Sequence, residues 1–139
     1  MTKEIWINLP VKDVSKSKDF FTQLGFTFNT RYGNDKDSAS LLIGSKNVVV
    51  MLFPEHVFES FTGTKIADLR QGAEVLISID AESREEVDEL ANKAVAAGGI
   101  LFGKPNEIQG WMYGCGFSDL DGHRWNVLYM DMNRMPKQG

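Results

Sequence analysis

Short runs in which hydrophobic and polar positions alternate are separated by segments with a helical period. The run "EIWINLPV" alternates up to Asp13, and "VSKSKDFFTQLG" then has a helical pattern that stops at Gly25. Asp is a favoured N-cap, and Gly commonly follows a helix. The strand patterns "FTFNTRY", "SASLLIG" and "NVVVMLF" follow, separated by the turn-forming "GNDKDS" and "SKN". This order predicts one βαβββ unit over about residues 5–53.

The same order of patterns starts again at Glu74. The strand pattern "EVLISI" precedes Ser83 to Glu86, which reads as a capping box ahead of a long helix that ends at Gly98 and Gly99. The strand patterns "ILFGKP", "GWMYGCGFS" and "HRWNVLYM" follow, the middle one weakened by its glycines. A second βαβββ unit is therefore predicted over about 74–130, with a connector over about 54–73. One apolar stripe lies on the helix, at Val87, Leu90, Ala91 and Ala94.

Two such units predict an α+β fold. Each strand can bury one face against its helix while the other face curls around a cavity, which fits apolar runs such as "VVVMLF". We expect a single domain over residues 1–139, in which the two units form a curved mixed sheet around a pocket for a small molecule. Alternation in the first strand places Trp6, Asn8 and Pro10 on one face.

Charge and composition exclude several classes of function. The formal net charge is −4 and the pI is about 5.1, so nucleic acid is not an expected partner. The N-terminal segment is too charged for a signal peptide and no apolar run is long enough to span a membrane, which predicts a cytoplasmic protein. Cys115 is the only cysteine and has no basic neighbour in "MYGCGFSD", so it is interpreted as a buried structural residue.

The double βαβββ plan and the ending "DLDGHRWNVLYMD" resemble the vicinal oxygen chelate superfamily, the glyoxalase, bleomycin-resistance and extradiol-dioxygenase group. Within it, "AESREEVDELANKAVAAGG" and "GWMYGCGFSDLDGHRWNVLYMD" are similar to bacterial proteins labelled as predicted lactoylglutathione lyases. Metal-dependent members hold a divalent ion with four His or Glu side chains. The resemblance places Trp6, Met51, Glu74 and Asn126 at those positions, and only Glu74 is a strong ligand.

The resemblance therefore implies a degenerate metal site and no metal cofactor. We expect a ligand-binding set of Trp6, Asn8, Glu74 and Asn126, with an aromatic wall and a few hydrogen-bonding groups. Glu74 is the one weak candidate for a catalytic base, although an exposed position at the start of a strand explains it equally well.

Other polar and aromatic residues have simpler interpretations. His123 reads as a turn residue, His56 as a solvent-facing connector residue that could reach the cavity mouth, and Trp125 as core. The acidic turn "SDLDG" reads as turn chemistry. Sequence does not fix where three candidate anion-binding residues point: Arg31, Arg70 and Arg124.

Three functions stay open at this point. The first is metal-free binding of a small molecule, similar to the drug-sequestering members. The alternative is a metal-dependent lyase, isomerase or dioxygenase of the same superfamily, and the third is a metal-free enzyme that uses Glu74 as a base. The sequence identifies neither the ligand nor a reaction. Exposed sheet edges and apolar faces, together with the resemblance, predict a homodimer.

Overall fold

The computed structural model describes residues 1–31 and 37–137. The chain divides into two compact units, Met1–Asp68 and Leu69–Gly139. Each unit contains one four-stranded mixed sheet. The end of the predicted second strand and most of the turn predicted after it fall in residues 32–36, outside the described ranges.

The first unit follows the predicted order of elements and adds a helix at its end. This helix, at Glu55–Thr62, lies in the segment predicted to be a connector and carries His56, which is exposed. Pro54 precedes this helix, and Gly63 ends it in the left-handed conformation. The elements are β1 (Trp6–Val11), α1 (Val14–Gln23), β2 (Thr27–Phe28), β3 (Ala39–Ile43), β4 (Val48–Pro54) and α2 (Glu55–Thr62).

The strands of the first sheet lie in the order β1-β4-β3-β2. β1 runs parallel to β4, which is possible because α1 provides the crossover between the strands, and the other neighbours are antiparallel. Trp6 is paired with Val49 and Asn8 with Met51. This register determines which side chains share a face of the sheet.

The core of the first unit lies between the sheet and α1. The Asp13 side chain caps α1 by accepting a hydrogen bond from the Lys16 N–H at 3.0 Å, as the sequence predicts. Phe20 and Phe21 of α1 are fully buried, as are Leu41 and Leu52 of the sheet. Burying a phenylalanine contributes about 1.5–3 kcal/mol, so this face of the sheet supplies most of the unit's hydrophobic stabilisation.

The second unit repeats the plan of the first. Its elements are β5 (Leu76–Asp80), α3 (Arg84–Ala96), β6 (Ile100–Ile108), β7 (Met112–Ser118) and β8 (Arg124–Met130). The strands lie in the order β5-β8-β7-β6, and β5 and β8 are parallel. The first strand begins at Leu76 and not at Glu74, which lies in a bend two residues earlier. The glycine-rich strand β7 does form.

Helix α3 covers one face of the second sheet. The Ser83 hydroxyl accepts a hydrogen bond from the Glu86 N–H at 3.1 Å, which confirms the predicted N-cap. Of the predicted apolar stripe, Val87, Ala91 and Ala94 are buried. Phe117 and Trp125 stack at 6.2 Å between ring centroids in the same core.

The predicted α+β fold with two βαβββ units is therefore confirmed. Among the described residues, no helix is both long enough and apolar enough to cross a membrane.

Candidate functional site

The face of the first sheet opposite α1 carries a depression of about 530 Å³. The β1–β4 pairing places Trp6 beside Val49, and the β4–β3 pairing places Met51 beside Ser40. The residues that line the depression are Glu4, Trp6, Asn29, Ser40, Val49 and Met51.

Alternation along β1 directs Trp6 into this depression. Leu9 and Val11 are buried on the α1 side, so Trp6 and Asn8 point the other way. Trp6 is 60% exposed, and Asn8 is also exposed. An indole that is this exposed contributes little to the core, and its flat apolar face is available to a bound molecule.

Backbone hydrogen bonds fix the polar side of the depression. The Asn29 N–H donates to the Ser40 carbonyl at 2.9 Å, and the Asn29 side-chain oxygen accepts from the Arg31 N–H at 2.9 Å. Asn29 is therefore held in one orientation, and Ser40 is almost fully buried beside it. Glu4, Asn29 and Ser40 were not predicted as site residues: Glu4 lies two residues before Trp6 in the chain, whereas pairing between strands brings Asn29 and Ser40 to the depression.

The equivalent face of the second sheet carries Asn126. The Asn126 side-chain Nδ2 donates to the Ser78 hydroxyl at 3.3 Å, and the two residues are directly paired across β5 and β8. On the same face the Arg124 guanidinium lies over the Phe102 ring, 4.4 Å from its centroid. Trp6 and Asn8 thus share a face of the first unit while Asn126 belongs to the second, and a common ligand-binding set of all four predicted residues stays a prediction.

The repeat identifies which residues are equivalent in the two units. Asn8 is paired with Met51, and in the second unit Ser78 is paired with Asn126. Seven residues before the N-caps of α1 and α3, Asp13 and Ser83, lie Trp6 and Leu76. Glu74 is two residues farther from the helix than Leu76, outside the sheet and exposed. A role for Glu74 in binding or catalysis stays a prediction.

These residues do not fit a divalent metal ion. The equivalent strand positions carry an indole, an isobutyl group, a thioether and an amide, of which only the amide oxygen is a ligand for hard cations. Among residues 1–31 and 37–137, no group of three or more His, Cys, Asp or Glu side chains could hold a metal ion. No chemical step through a metal follows from this set of side chains.

The acidic turn before β8 is held together by Asp119. Its carboxylate accepts hydrogen bonds from the Asp121 and His123 N–H groups at 3.0 Å and from the Trp125 indole N–H at 3.1 Å. Burial raises the pKa of the Asp119 carboxyl above its ordinary value, while the charge of His123 and the indole N–H oppose the increase. The turn chemistry predicted from "SDLDG" is present, and its burial against an indole was not anticipated.

The structure also gives the positions of three other residues that were interpreted from the sequence. Trp125 is fully buried, as expected for core. Cys115 is buried under α3, and burial raises the pKa of its thiol to about 11, which makes it a poor nucleophile. His123 lies in the turn, where its backbone N–H and carbonyl both bond to Asp119.

Comparison with known proteins identifies the family that has this architecture. Residues 5–127 match the family model of the Glyoxalase/Bleomycin resistance protein/Dioxygenase superfamily. The chain belongs to this superfamily. No curated protein matches the sequence.

Solved structures of this superfamily's fold cover nearly the whole chain. Hypothetical protein SA1046 from S. aureus is 36% identical, with a TM-score of 0.81, and the match covers 93% of this chain and 94% of that one. A glyoxalase-related enzyme from Fulvimarina pelagi is 18% identical, with a TM-score of 0.78 and coverage of 93% and 88%. The genomically encoded fosfomycin resistance protein FosX from Listeria monocytogenes is 20% identical, with a TM-score of 0.67 and coverage of 96% and 98%. The last two likenesses concern the fold alone.

Proposed function

We propose that this glyoxalase-superfamily chain binds a small organic molecule on the open face of its first unit, without a metal ion. One observation carries the proposal: Trp6 is 60% exposed on the sheet face that lacks the core, and it lines a depression of about 530 Å³. Cavities of this size accommodate small ligands, with apolar walls and a few fixed polar groups.

The lining indicates the chemistry of the ligand. Trp6 offers a flat aromatic surface, and Met51 and Val49 offer apolar contacts, one of them through a polarisable sulfur. Asn29 and Ser40 supply hydrogen-bonding groups at fixed positions. A molecule with a planar apolar part and one or two polar substituents matches this surface.

Binding without catalysis is favoured over metal-assisted chemistry by the side chains at the equivalent strand positions. Trp6 and Met51 do not supply the hard anionic or imidazole ligands that Zn²⁺, Ni²⁺ or Mn²⁺ require. A metal-dependent lyase, isomerase or dioxygenase would need other ligands. The predictions of a cytoplasmic location and of a homodimer are part of this proposal and rest on the sequence.

The test is a thermal-shift screen of small aromatic compounds, followed by tryptophan fluorescence titration of the hits. A ligand that binds the folded state raises its melting temperature. The Trp6→Ala variant should retain its stability to within about 0.5 kcal/mol, because the indole is exposed, yet lose the shift produced by the hits.

Trp111→Phe is the matched control, since it removes the indole of another tryptophan, which is half-buried and does not line this depression. The control should bind every hit with unchanged affinity. Equal thermal shifts in wild type and Trp6→Ala would reject the assignment of Trp6 as a ligand contact. Stoichiometric binding of a transition metal to the wild type would instead favour the metal-dependent alternative.

A further inference from the structure

The open face of the second sheet carries an arginine that is stacked on an aromatic ring. The Arg124 guanidinium carbon lies 4.4 Å from the Phe102 centroid. Phe102 is 44% exposed and occupies the space above Gly116: a Cβ on this glycine would lie 2.4 Å from the ring. The absence of a side chain at Gly116 lets the ring rest against β7, where it supports the guanidinium. We refer to Arg124, Phe102 and Gly116 as the arginine platform.

The platform has an apolar neighbour and a polar one. Leu76 is paired directly with Arg124 across β5 and β8 and is exposed. Asn126 lies two residues farther along β8 on the same face, about 7 Å from Arg124 along the strand. Its one hydrogen bond among the described residues joins Nδ2 to Ser78, so its side-chain oxygen can accept from a bound molecule.

Arg124 forms no ion pair within 4.0 Å with the described residues. Arg124 is in neither the Arg84–Glu107 nor the Lys93–Glu89 ion pair. Asp80 is the acidic residue of β5 on this face, but its partner is Leu128, four residues beyond Arg124. It is therefore about 13 Å away along the strands. Stacking covers one face of a guanidinium and leaves its N–H edges free to donate.

We propose that the arginine platform binds a small organic carboxylate. The guanidinium fork donates two parallel hydrogen bonds to the carboxylate, and the apolar body of the molecule lies against Phe102 and Leu76. The Asn126 side-chain oxygen accepts from a polar substituent at the far end. A single guanidinium matches a monoanion in both charge and geometry. This site is on the second unit and does not depend on the ligand proposed for Trp6.

Titration of ¹⁵N-labelled protein with benzoate tests the site, with benzamide as the neutral analogue of the same shape. Benzoate should move the Arg124 Nε–H and Asn126 side-chain signals saturably, with an affinity in the millimolar range. Benzamide should bind at least about tenfold more weakly, because it lacks the charge-assisted pair. Arg124→Gln should abolish the benzoate response, and Arg124→Lys should weaken it about tenfold, since an ammonium keeps the charge without the fork.

Lys93→Gln is the matched control: it removes one positive charge from α3, on the other side of the sheet, and should leave benzoate binding unchanged. Arg124→Lys retains the charge and is the test variant if Arg124→Gln does not give the spectrum of a folded protein. The proposal is overturned if Arg124→Gln or Arg124→Lys responds like wild type, if benzamide binds as well as benzoate, or if no saturable shift occurs below about 10 mM. A benzoate effect confined to the Trp6 indole signal would also overturn it while supporting the site on the first unit.

Discussion

Removing the Asp119 carboxylate should be among the most destabilising single substitutions outside the apolar core. In Asp119→Ala, the indole N–H of the fully buried Trp125 loses its acceptor, which costs about 1–3 kcal/mol. The N–H groups of Asp121 and His123 lose the same acceptor, but both residues are only half-buried and water can reach them, so each loss costs about 1 kcal/mol. Part of this loss of stability is offset because the variant no longer buries a carboxylate, and it is this burial that raises the pKa of Asp119. We expect the free energy of unfolding to fall by about 3 kcal/mol.

The Asp119→Asn variant separates the indole contact from the turn contacts. Its side-chain oxygen can still accept from the Asp121 and His123 N–H groups, but its NH₂ then meets the Trp125 N–H, donor against donor. Asn should therefore cost about 1–3 kcal/mol. In the double variant with Trp125→Phe, the conflict disappears, and a double-mutant cycle should show a coupling energy of about 1–2 kcal/mol.

Urea denaturation followed by far-ultraviolet circular dichroism measures these differences without relying on the fluorescence of Trp125. Ser118→Ala is a suitable control, because the same strand end is altered while the three donors keep their acceptor. A loss below about 1 kcal/mol for Asp119→Ala, or a coupling energy near zero, would show that the hydrogen bonds to Asp119 do not determine the stability of the turn.

Three further outcomes are expected. Because burial raises the pKa of the Cys115 thiol to about 11, the stability that the neutral thiol contributes is fully present below the ordinary thiol pKa and is lost as the pH rises toward 11. Cys115→Ala should therefore flatten the fall in the free energy of unfolding with pH, measured by urea denaturation. A thiol reagent should label the native wild type only at the rate of unfolding. Asn126→Glu should bind Ni²⁺, Zn²⁺ and Mn²⁺ weakly in calorimetry, since Trp6, Leu76 and Met51 still provide no ligand; submicromolar stoichiometric binding would contradict the assignment. Light scattering at micromolar concentration should give the mass of a dimer, and a monomer would refute the expected pairing.

Local signals in the sequence predict much of this fold because they act over a few residues. Asp13 and Ser83 cap the helices whose starts they predict, and these capping bonds connect residues only three apart. Helix α2 was missed because it is short and has no side-chain cap; Pro54 before it and Gly63 after it are the signals that could have revealed it.

Strand register limits how far the candidate site can be predicted. Trp6 was expected on the open face, and alternation from the buried Leu9 places it there, but its neighbours Ser40 and Asn29 are set by pairing between strands. In the second unit, the strand predicted to start at Glu74 begins at Leu76, and the N-cap and the β5–β8 pairing make Leu76 the structural equivalent of Trp6.

How deeply a carboxylate is buried cannot be predicted from the spacing of residues in the sequence alone. The pattern "SDLDG" is typical of an exposed turn, but Asp119 is buried, and the indole of Trp125, six residues later, donates a hydrogen bond to it. The role of Gly116 is equally nonlocal, since the ring that occupies its space comes from another strand.

The separation of core and open face within each sheet has a consequence for how such chains can diversify. Leu41, Leu52 and Val127 maintain the fold from the helix side, whereas Trp6 and Asn126 lie on the opposite faces. Substitutions on the open faces can therefore accumulate under selection for new ligands with little risk of unfolding. A repeated βαβββ unit doubles this freedom, because each half has its own open face.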